Sequence, residues 1–358
     1  MNDVVIVPLD PYNPDQVQSW ITSSQETDAT DYPYVPPISS IAMRSRIHSP
    51  DSQSWLQRFV ALDNSSQVVG TVTTQQDLLN NTDKAFLKTR VHPDYRRRGI
   101  GTRLYRVAQD SLRKAGISTV ISGYGDEFQG FPNYGDQSPD IEEFAIHPDH
   151  GKPGREFARQ HGFTIGTQNW WRICDLSSLD HEHLGERDRQ LEPTQSDYGL
   201  TRYSRFINDD DVEQYCRLRA LTLADAPSGG LELDGMKYSV DQWRSREKHA
   251  VDGGLLCLGV YARHRRTGVV AGLSEIEVHP GHEFIANQLD TVVDPEHRGR
   301  KLGLRLKIAI MRYLRLWRPQ VRFIQTFNDC DNHAMVAVND QVGYQNYCTM
   351  VAVQKTLT

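Results

Sequence analysis

Two segments of the sequence have residue types and spacing suited to binding a phosphate-rich ligand. Each runs from an apolar stretch through a V-x-Pro step and a basic cluster to a glycine and a long amphipathic helix. LKTRVHPDYRRRGIGTRLYRVAQDSLRK begins at Leu87, and LDTVVDPEHRGRKLGLRLKIAIMRYLRL begins at Leu289. Unpaired backbone N–H groups at a helix N-terminus attract phosphate, and the helix dipole adds to this. Both segments are therefore candidate anion-binding loops.

The two segments align on each other without a gap. The matched pairs are Val91 with Val293, Pro93 with Pro295, Arg96 with Arg298, and Gly101 with Gly303. Four anchors in one register indicate an internal repeat, so the sequence predicts one domain built twice.

Side chains in these loops suit phosphate contact in two ways. Arginines can add ion pairs, and glycines let the backbone approach the ligand without an intervening Cβ. The arginines are Arg97, Arg98, Arg298 and Arg300, the glycines are Gly99, Gly101 and Gly303, and Thr102 can add a hydroxyl donor. Neither segment is a Walker loop or a dinucleotide-binding GxGxxG fingerprint.

The first segment, VHPDYRRRGIGTRL, resembles the pyrophosphate-binding segment of the GNAT superfamily of N-acetyltransferases, V-x-P-x-x-[RQ]-x-x-G-x-[GA]. The resemblance implies acetyl-CoA as cosubstrate, with its pyrophosphate in the loop, its pantetheine arm along the preceding strand, and an acyl site opened by the splaying of two strands. The implied CoA-binding residues of the first half are Val91, Arg96, Arg97, Arg98, Gly99, Ile100, Gly101 and Thr102.

The second segment departs from that pattern because Lys301 stands where the middle glycine is expected. A lysine crowds the loop there if a positive φ is required. A longer stretch, including TFNDCDNHAMVAVNDQVGY, is similar to actinobacterial tandem GNAT proteins of the mycothiol-synthase-like type. This resemblance implies CoA binding by Val293, Arg298, Gly299, Arg300, Leu302, Gly303 and Leu304, and places Asn328 and Asn332 near the pantetheine and substrate.

Acyl transfer to an amine requires a base for the ammonium proton and a donor for the departing thiolate. Asp290 of the second half aligns with Lys88 of the first, on the strand that enters the loop. Glu275 and Glu277 alternate along the neighbouring strand, and we expect one carboxylate on each face. The first half offers only Thr73 and Gln75 in the comparable run. The acids therefore favour the second half as the catalytic one.

The thiolate donor is less clearly marked. Many GNAT enzymes have a tyrosine four residues before the closing Gly-aromatic step, and the residues at that position are Ala158 and Asn339. Neither half keeps that tyrosine, so Tyr344 or a water is the alternative donor, and Asn339 is counted among the candidate catalytic residues of the second half. The resulting hypothesis is direct acyl transfer to a primary amine in the second half, while the first binds CoA or supports the fold.

The elements around the loops predict an α/β protein of two tandem GNAT-like domains, each with a central mixed, mostly antiparallel sheet flanked by helices. We predict a first domain over residues 1–180 with a loop insertion at about 123–140, a linker over 181–198, and a second domain over 199–358. The length of 358 residues fits two domains.

Composition limits the alternatives. The 40 Lys and Arg against 46 Asp and Glu give a net charge of −6, which argues against a nucleic-acid partner. No apolar run is long enough to span a membrane, no secretory signal is apparent, and five cysteines show no CxxC pairing, so we expect a cytoplasmic protein. Histidine spacing predicts no metal, and monomer and homodimer both remain open.

Two other functions are compatible with the sequence. One is a CoA-binding sensor or scaffold without turnover, which the missing tyrosines favour. The other is protein or peptide N-acetylation, since an acidic protein suits basic tails. A small-molecule amine is the acceptor that we favour.

Overall fold

The computed structural model describes residues 4–32, 39–48, 54–78, 80–128, 151–191, 196–225, 231, 239–281 and 283–357. The strands are β1 Val5–Pro8, β2 Ser54–Leu62, β3 Val68–Asp77, β4 Lys84–Val91, β5 Thr119–Asp126, β6 Thr164–Asp175, β7 Tyr198–Ser204, β8 Leu256–His264, β9 Val270–Val278, β10 Ile285–Val293, β11 Phe323–Asp329 and β12 Gln345–Thr356. The helices are α1 Pro14–Asp31, α2 Ser40–His48, α3 Ile100–Lys114, α4 Lys152–Gln160, α5 His181–Leu191, α6 Val212–Asp225, α7 Val240–Asp252, α8 Leu302–Trp317 and α9 His333–Asp340.

All of these strands form one sheet in the order β1-β2-β3-β4-β5-β12-β6-β11-β10-β9-β8-β7. The first five strands and the strands β7 to β11 follow the same internal order in opposite directions across the sheet. In each half the pairing is antiparallel except for one parallel pair, β4 with β5 and β10 with β11. The predicted fold class, a mixed and mostly antiparallel sheet built twice, is confirmed.

The middle of the sheet contains a strand exchange that the sequence does not predict. β12, the last strand of the chain, pairs with β5 of the first half from Thr349 to Thr356. β6, the last strand of the first half, pairs with β11 of the second. β6 and β12 also pair with each other, so each half is completed by a strand from the other.

The helix that follows each loop covers its own half of the sheet. In the first half, Leu104, Ala108 and Leu112 of α3 are buried against Val72 and Val120. The spacing of these leucines and alanine gives one apolar stripe, which is the pattern of a helix packed on a sheet.

α8 of the second half is covered on its outer side as well, by α5. Leu184 and Leu191 of α5 belong to the same apolar cluster as Leu304 of α8. The carboxylate of Asp188 pairs with arginines of α8, one of them Arg312 at 2.8 Å. The first part of the predicted linker over 181–198 is thus a helix, and its leucines, spaced at two turns, give it an apolar face. The domain boundary itself stays a prediction.

The loop predicted over residues 123–140 is a strand over its first four residues. Gly123 to Asp126 continue β5; residues 129–140 lie outside the described residues. A Cβ on Gly125 would come within 2.9 Å of Tyr32 and Phe128. The glycines that suggested a turn instead allow close packing against a strand.

Candidate active sites

Both basic loops have two residues with positive φ at aligned positions. Glycine is the second of these residues in the first loop and the first of them in the second loop. In the first loop Arg97 and Gly99 have φ of 60° and 76°, and in the second Gly299 and Lys301 have φ of 76° and 57°. Lys301 and Gly99 each stand immediately before the first residue of their helix. The middle position therefore has a positive φ in both loops, and Lys301 adopts it.

The first arginine of each loop braces the loop against its own strand. Arg96 Nε donates to the carbonyl oxygen of Val91 at 3.0 Å, and Arg298 Nε donates to that of Val293 at the same distance. Arg96 also pairs with Asp31 of α1 at 2.8 Å. These two predicted CoA-binding residues fix the shape of the loop.

Four other polar side chains of the loops have protein partners close by. Arg97 is 82% exposed and pairs with Glu156 at 2.7 Å. Arg98 donates to the carbonyl oxygen of Asp94, and Thr102 Oγ1 hydrogen-bonds with His161 at 3.2 Å. In the second loop, Arg300 donates to the hydroxyl of Tyr198 at 2.7 Å.

In both halves the strand before the loop separates from its parallel neighbour. β4 and β5 pair only from Lys84 to Phe86, and β10 and β11 only from Ile285 to Asn287. Beyond these pairs the strands diverge, and a cavity opens between them. This is the splaying that the family resemblance implied.

The first cavity, of about 870 Å³, lies between Thr89–Val91 and Ser122–Gly125. Seven of the eight predicted CoA-binding residues line it: Val91, Arg96, Arg97, Gly99, Ile100, Gly101 and Thr102. Arg98 is not among the lining residues. Tyr32 of α1 and Phe157 of α4 add to the walls.

The second cavity, of about 810 Å³, lies between Leu289–Val293 and Thr326–Asp329. The predicted CoA-binding residues that line it are Val293, Arg298, Gly299, Leu302, Gly303, Leu304 and Asn332. Arg300 lines a separate recess of about 430 Å³ together with Arg187 of α5. Asn332 also caps α9 by accepting from the backbone N–H of Met335 at 3.1 Å.

One wall of the second cavity comes from the first half of the chain. Asp77, Asn80, Asn81, Lys84 and Phe86 line it from β3, β4 and the turn between them, and Thr167 and Asn169 line it from β6. The strand exchange is the cause, because it places β6 beside β11. No local signal in the sequence marks these residues as part of a site.

Asp290 lies at an irregularity of β10, where the pairing with β9 shifts between Gln288 and Thr291. It lines the second cavity and forms an ion pair with Arg219 of α6. Arg219 also pairs with Glu275 at 2.6 Å. One guanidinium thus joins two of the predicted catalytic acids.

Glu275 and Glu277 do not line this cavity, and they share one face of β9. Glu275 is 5% exposed and accepts a hydrogen bond from Tyr203 at 2.6 Å. Glu277 pairs with Arg246 of α7 at 3.1 Å. The expectation of one carboxylate on each face is wrong, because side chains two residues apart on a strand point the same way.

The two carboxyls differ in ionisation. Burial acts to raise the pKa of Glu275, but Arg219, Arg246 and hydrogen bonds from tyrosines outweigh it, and the pKa lies below its ordinary value. Burial raises the pKa of Glu277, and the nearby Glu275 adds to this against the opposing charge of Arg246. Glu275 is therefore held ionised beside Arg219.

Asn339 is fully buried and belongs to a polar chain that the sequence only partly revealed. Lys307 of α8 donates through Nζ to Asn339 Oδ1, and Asn339 Nδ2 donates to Asn328 Oδ1 at 2.5 Å. The Lys307 ammonium also lies over the ring of Tyr344, 4.7 Å from its centre. Lys307 and Asn328 both line the cavity. A lysine inside the apolar run LKIAIM was the available signal.

A sequence model of a protein family, described as Acetyltransferase (GNAT) family, matches residues 16–126. This segment is a GNAT acetyltransferase domain. It extends from α1 to the end of β5 and contains the first loop. GNAT enzymes transfer an acyl group from acetyl-CoA to an amine, so acyl transfer is the general activity of the family to which this segment belongs.

Solved structures extend the likeness to the rest of the chain. A tandem GNAT protein from the clavulanic acid biosynthesis pathway has a TM-score of 0.77 at 24% identity, over 99% of both chains. A GNAT protein from Sphaerobacter thermophilus has a TM-score of 0.63 at 13% identity, over 99% of this chain and 96% of the other. At these identities the matches show a likeness of fold alone. No curated protein is similar enough to count as a match.

The two halves of the chain differ at positions that align with residues lining or adjoining the second cavity. Where the second has Asp290, the first has Lys88, which pairs with Asp28 of α1 at 3.4 Å. Where the second has Lys307, the first has Tyr105, buried at 1% exposure. Where the second has Asn339, the first has Ala158.

Metal-ion sites and membrane-spanning helices are two further features that bear on function in the described ranges. Within them, no group of three or more His, Cys, Asp and Glu side chains is arranged to hold a metal ion. Over the same ranges no helix is both long and apolar enough to cross a bilayer.

Proposed function

We propose that the chain is an acetyl-CoA-dependent N-acyltransferase that moves an acetyl or related acyl group to a primary amine of a small metabolite, by direct transfer in the C-terminal half. The observation that carries this proposal is the position of Asp290, in the cavity between β10 and β11. The aligned residue of the other half is Lys88, which cannot remove a proton while it is charged.

The cofactor site rests on the second loop. The backbone N–H groups at the start of α8 suit the CoA pyrophosphate, and Arg300 and Lys301 supply positive charge beside them. The pantetheine arm would follow the separated end of β10, which brings the thioester towards Asp290 and Asn328. Each of these two residues lies three positions beyond the last parallel pair, Asn287 with Gln325.

Asp290 would serve as the base. Its carboxylate faces the cavity and is oriented by Arg219, whose charge is shared with the buried Glu275. Glu275 is a positioning residue in this scheme, because it contacts Arg219 and Tyr203 and does not line the cavity. A base of this kind contributes a factor of about 10² to 10⁴ in rate.

The lining of the cavity supports a small amine as acceptor. Phe86 and Phe327, each about half exposed, offer apolar contact from opposite halves of the chain. Asp77 and Asp329 place carboxylates in the same walls, and these favour a cation. The first half would bind a second CoA or act as the wall and the scaffold.

Binding by two loop variants tests the assignment. Acetyl-CoA is titrated calorimetrically into the wild type, Arg97→Glu/Arg98→Glu and Arg300→Glu/Lys301→Glu; the bracing arginines Arg96 and Arg298 stay intact in both variants. Loss of turnover on an amine panel in the second variant alone supports the C-terminal site. Loss in the first variant alone moves the chemistry to the N-terminal half.

Two results would favour the rival functions. Saturable CoA binding without turnover on any amine or peptide would indicate a sensor or scaffold. Ala158 and Asn339 favour that function, because they replace the tyrosine that donates to the thiolate in many GNAT enzymes. Acetyl incorporation into basic peptides and not into small amines would indicate peptide acetylation. Failure of the wild type to bind acetyl-CoA would end the acyltransferase proposal.

A further inference from the structure

A buried lysine lines the second cavity, and acyl transfer there would leave a CoA thiolate that needs a proton. Lys307 is 1% exposed, yet it lines the cavity together with Asn328 and Asp290. We propose that Lys307 is the catalytic acid that protonates the CoA thiolate in the C-terminal half. This inference rests on the proposed function and extends it to a residue on α8.

The surroundings of Lys307 hold it in place without a carboxylate counterion. Its Nζ donates to Asn339 Oδ1, and Asn339 is fixed in turn by its bond to Asn328. The ring of Tyr344 lies on another side, with its centre 4.7 Å from Nζ. No ion pair joins Lys307 to an acid within the described part of the chain. The thiolate formed in the cavity would be the anion that this cation lacks.

Ionisation of the lysine is compatible with this role. Burial lowers the pKa of Lys307 to about 7, while Cys174 of β6 opposes the shift and Arg172 of the same strand adds to it. Arg172 is itself paired with Asp340 of α9 at 2.5 Å, which reduces its effect. A donor with a pKa near neutrality gives up and regains a proton readily at that pH.

Asp290 and Lys307 divide the proton transfers. The amine nitrogen forms a bond to the thioester carbon, the carbon–sulfur bond breaks, and its electron pair stays on sulfur. Sulfur then takes the Nζ proton of Lys307, which is reprotonated from water. The acceptor ammonium loses two protons in turn to Asp290, which passes each to water. The sum is amide, CoA thiol and one released proton.

Titration of the bound CoA thiol tests the contact directly and needs no acceptor. The full chain carries Arg97→Glu/Arg98→Glu, so that CoA binds in the second half alone. Thiolate absorbance in the ultraviolet is followed against pH, with desulfo-CoA complexes subtracted. An ordinary thiol has a pKa of about 8.5. We expect a lower value for bound CoA, a rise of at least about one unit in Lys307→Met, and little change in Lys307→Arg.

Turnover separates charge from proton donation. Lys307→Met removes the charge and the proton, and Lys307→Arg keeps the charge but is a poor acid. We therefore expect kcat of both variants to fall by a factor of about 10² to 10⁴, with a smaller change in KM. Lys355→Met is the matched control: its Nζ lies over the ring of Tyr105 at 5.6 Å and lines neither cavity. It should leave the thiol pKa and kcat unchanged.

The outcomes distinguish the two levels of the proposal. An equal thiol pKa in the parent and Lys307→Met, with CoA bound in both, overturns the role of Lys307 and leaves the proposed function intact. Absence of CoA binding in the second half overturns both. If circular dichroism shows that Lys307→Met is unfolded, Lys307→Gln replaces it, because it removes the charge and can still hydrogen-bond Asn339; an unchanged thiol pKa there also counts against the proposal.

Discussion

Lys301 has the same left-handed backbone conformation as its aligned counterpart Gly99, with φ of 57° and 76°. The loop geometry is therefore kept in both halves although the glycine is not. Gly299 holds the other left-handed position of the second loop, where the first loop has Arg97. Each loop combines one glycine with one cationic residue in this conformation, which places a charge beside the helix N-terminus.

Substitutions at Lys301 should follow the strain of a positive φ. Lys301→Gly should change the free energy of unfolding by less than about 1 kcal/mol, because relief of strain is offset by a more flexible unfolded chain. Lys301→Val should lose about 1–2 kcal/mol, because a β-branched residue is poorly tolerated there. Urea denaturation measures both, and equal stability of Lys301→Val and the wild type would argue against a strained loop.

Loss of the carboxylate at Asp290 should affect turnover far more than folding or cofactor binding. Asp290→Asn keeps the shape of the side chain, and we expect kcat to fall by a factor of about 10² to 10⁴. Calorimetric affinity for acetyl-CoA should stay the same. Glu277→Gln is the control on the neighbouring strand, with a smaller effect. Full activity of Asp290→Asn would remove it from the mechanism.

Glu275→Gln should destabilise the protein, because Arg219 would lose its most deeply buried partner. Loss of one member of such a pair costs about 3–5 kcal/mol. The pKa of Glu275 is lowered by folding, so its contribution is complete above the unfolded pKa of about 4.3 and is lost as the pH falls through the folded pKa. The difference in free energy of unfolding between the wild type and Glu275→Gln should thus become smaller at acid pH. A difference that does not change with pH would contradict this.

Lys307 should make the unliganded protein more stable as the pH rises. Its pKa is about 7 in the fold and about 10.4 in the unfolded chain, so folding releases a proton between these values. Relative to Lys307→Met, the wild type should gain at most about 1.4 kcal/mol per pH unit from pH 7 upward. Parallel stability curves for the two proteins over that range would show that the lysine is not buried as described.

Cleavage of the backbone between α5 and β7 should leave the two pieces associated. β6 of one piece and β12 of the other lie side by side in the sheet. A protease site inserted after Leu191 would be cut, and size-exclusion chromatography should show one complex of unchanged size until denaturant is added. Separation into two folded species would contradict the exchange.

The repeat made much of this fold predictable. Aligned anchors such as Gly101 and Gly303 placed two loops, two following helices and the strands before them, and the structure has each of these elements. The exchange was not predictable, because nothing in the sequences of β6 and β12 specifies which half each strand joins, and register is set by contacts far apart in the chain. Gly123 was predicted to begin a loop but lies in β5, where it pairs with Ala352 of β12, the exchanged strand.

The site was predictable where chemistry depends on residue type and unpredictable where it depends on assembly. Asp290 was found from its alignment with Lys88, and it lines the cavity. Lys307 was overlooked because a lysine in a helix is usually solvated, and only packing shows that this one is buried. Phe86 belongs to the second cavity through the exchange alone.

The exchange also affects how the two halves can diverge. In a dimer of identical chains, any substitution appears at both sites at once. Here the two sites share one interlocked sheet, but each is encoded by its own part of one sequence. The aligned residues Lys88 and Asp290, or Tyr105 and Lys307, can therefore differ. A half that gave up catalysis would still be retained by selection, because it supplies the strand and the wall that its neighbour cannot make for itself.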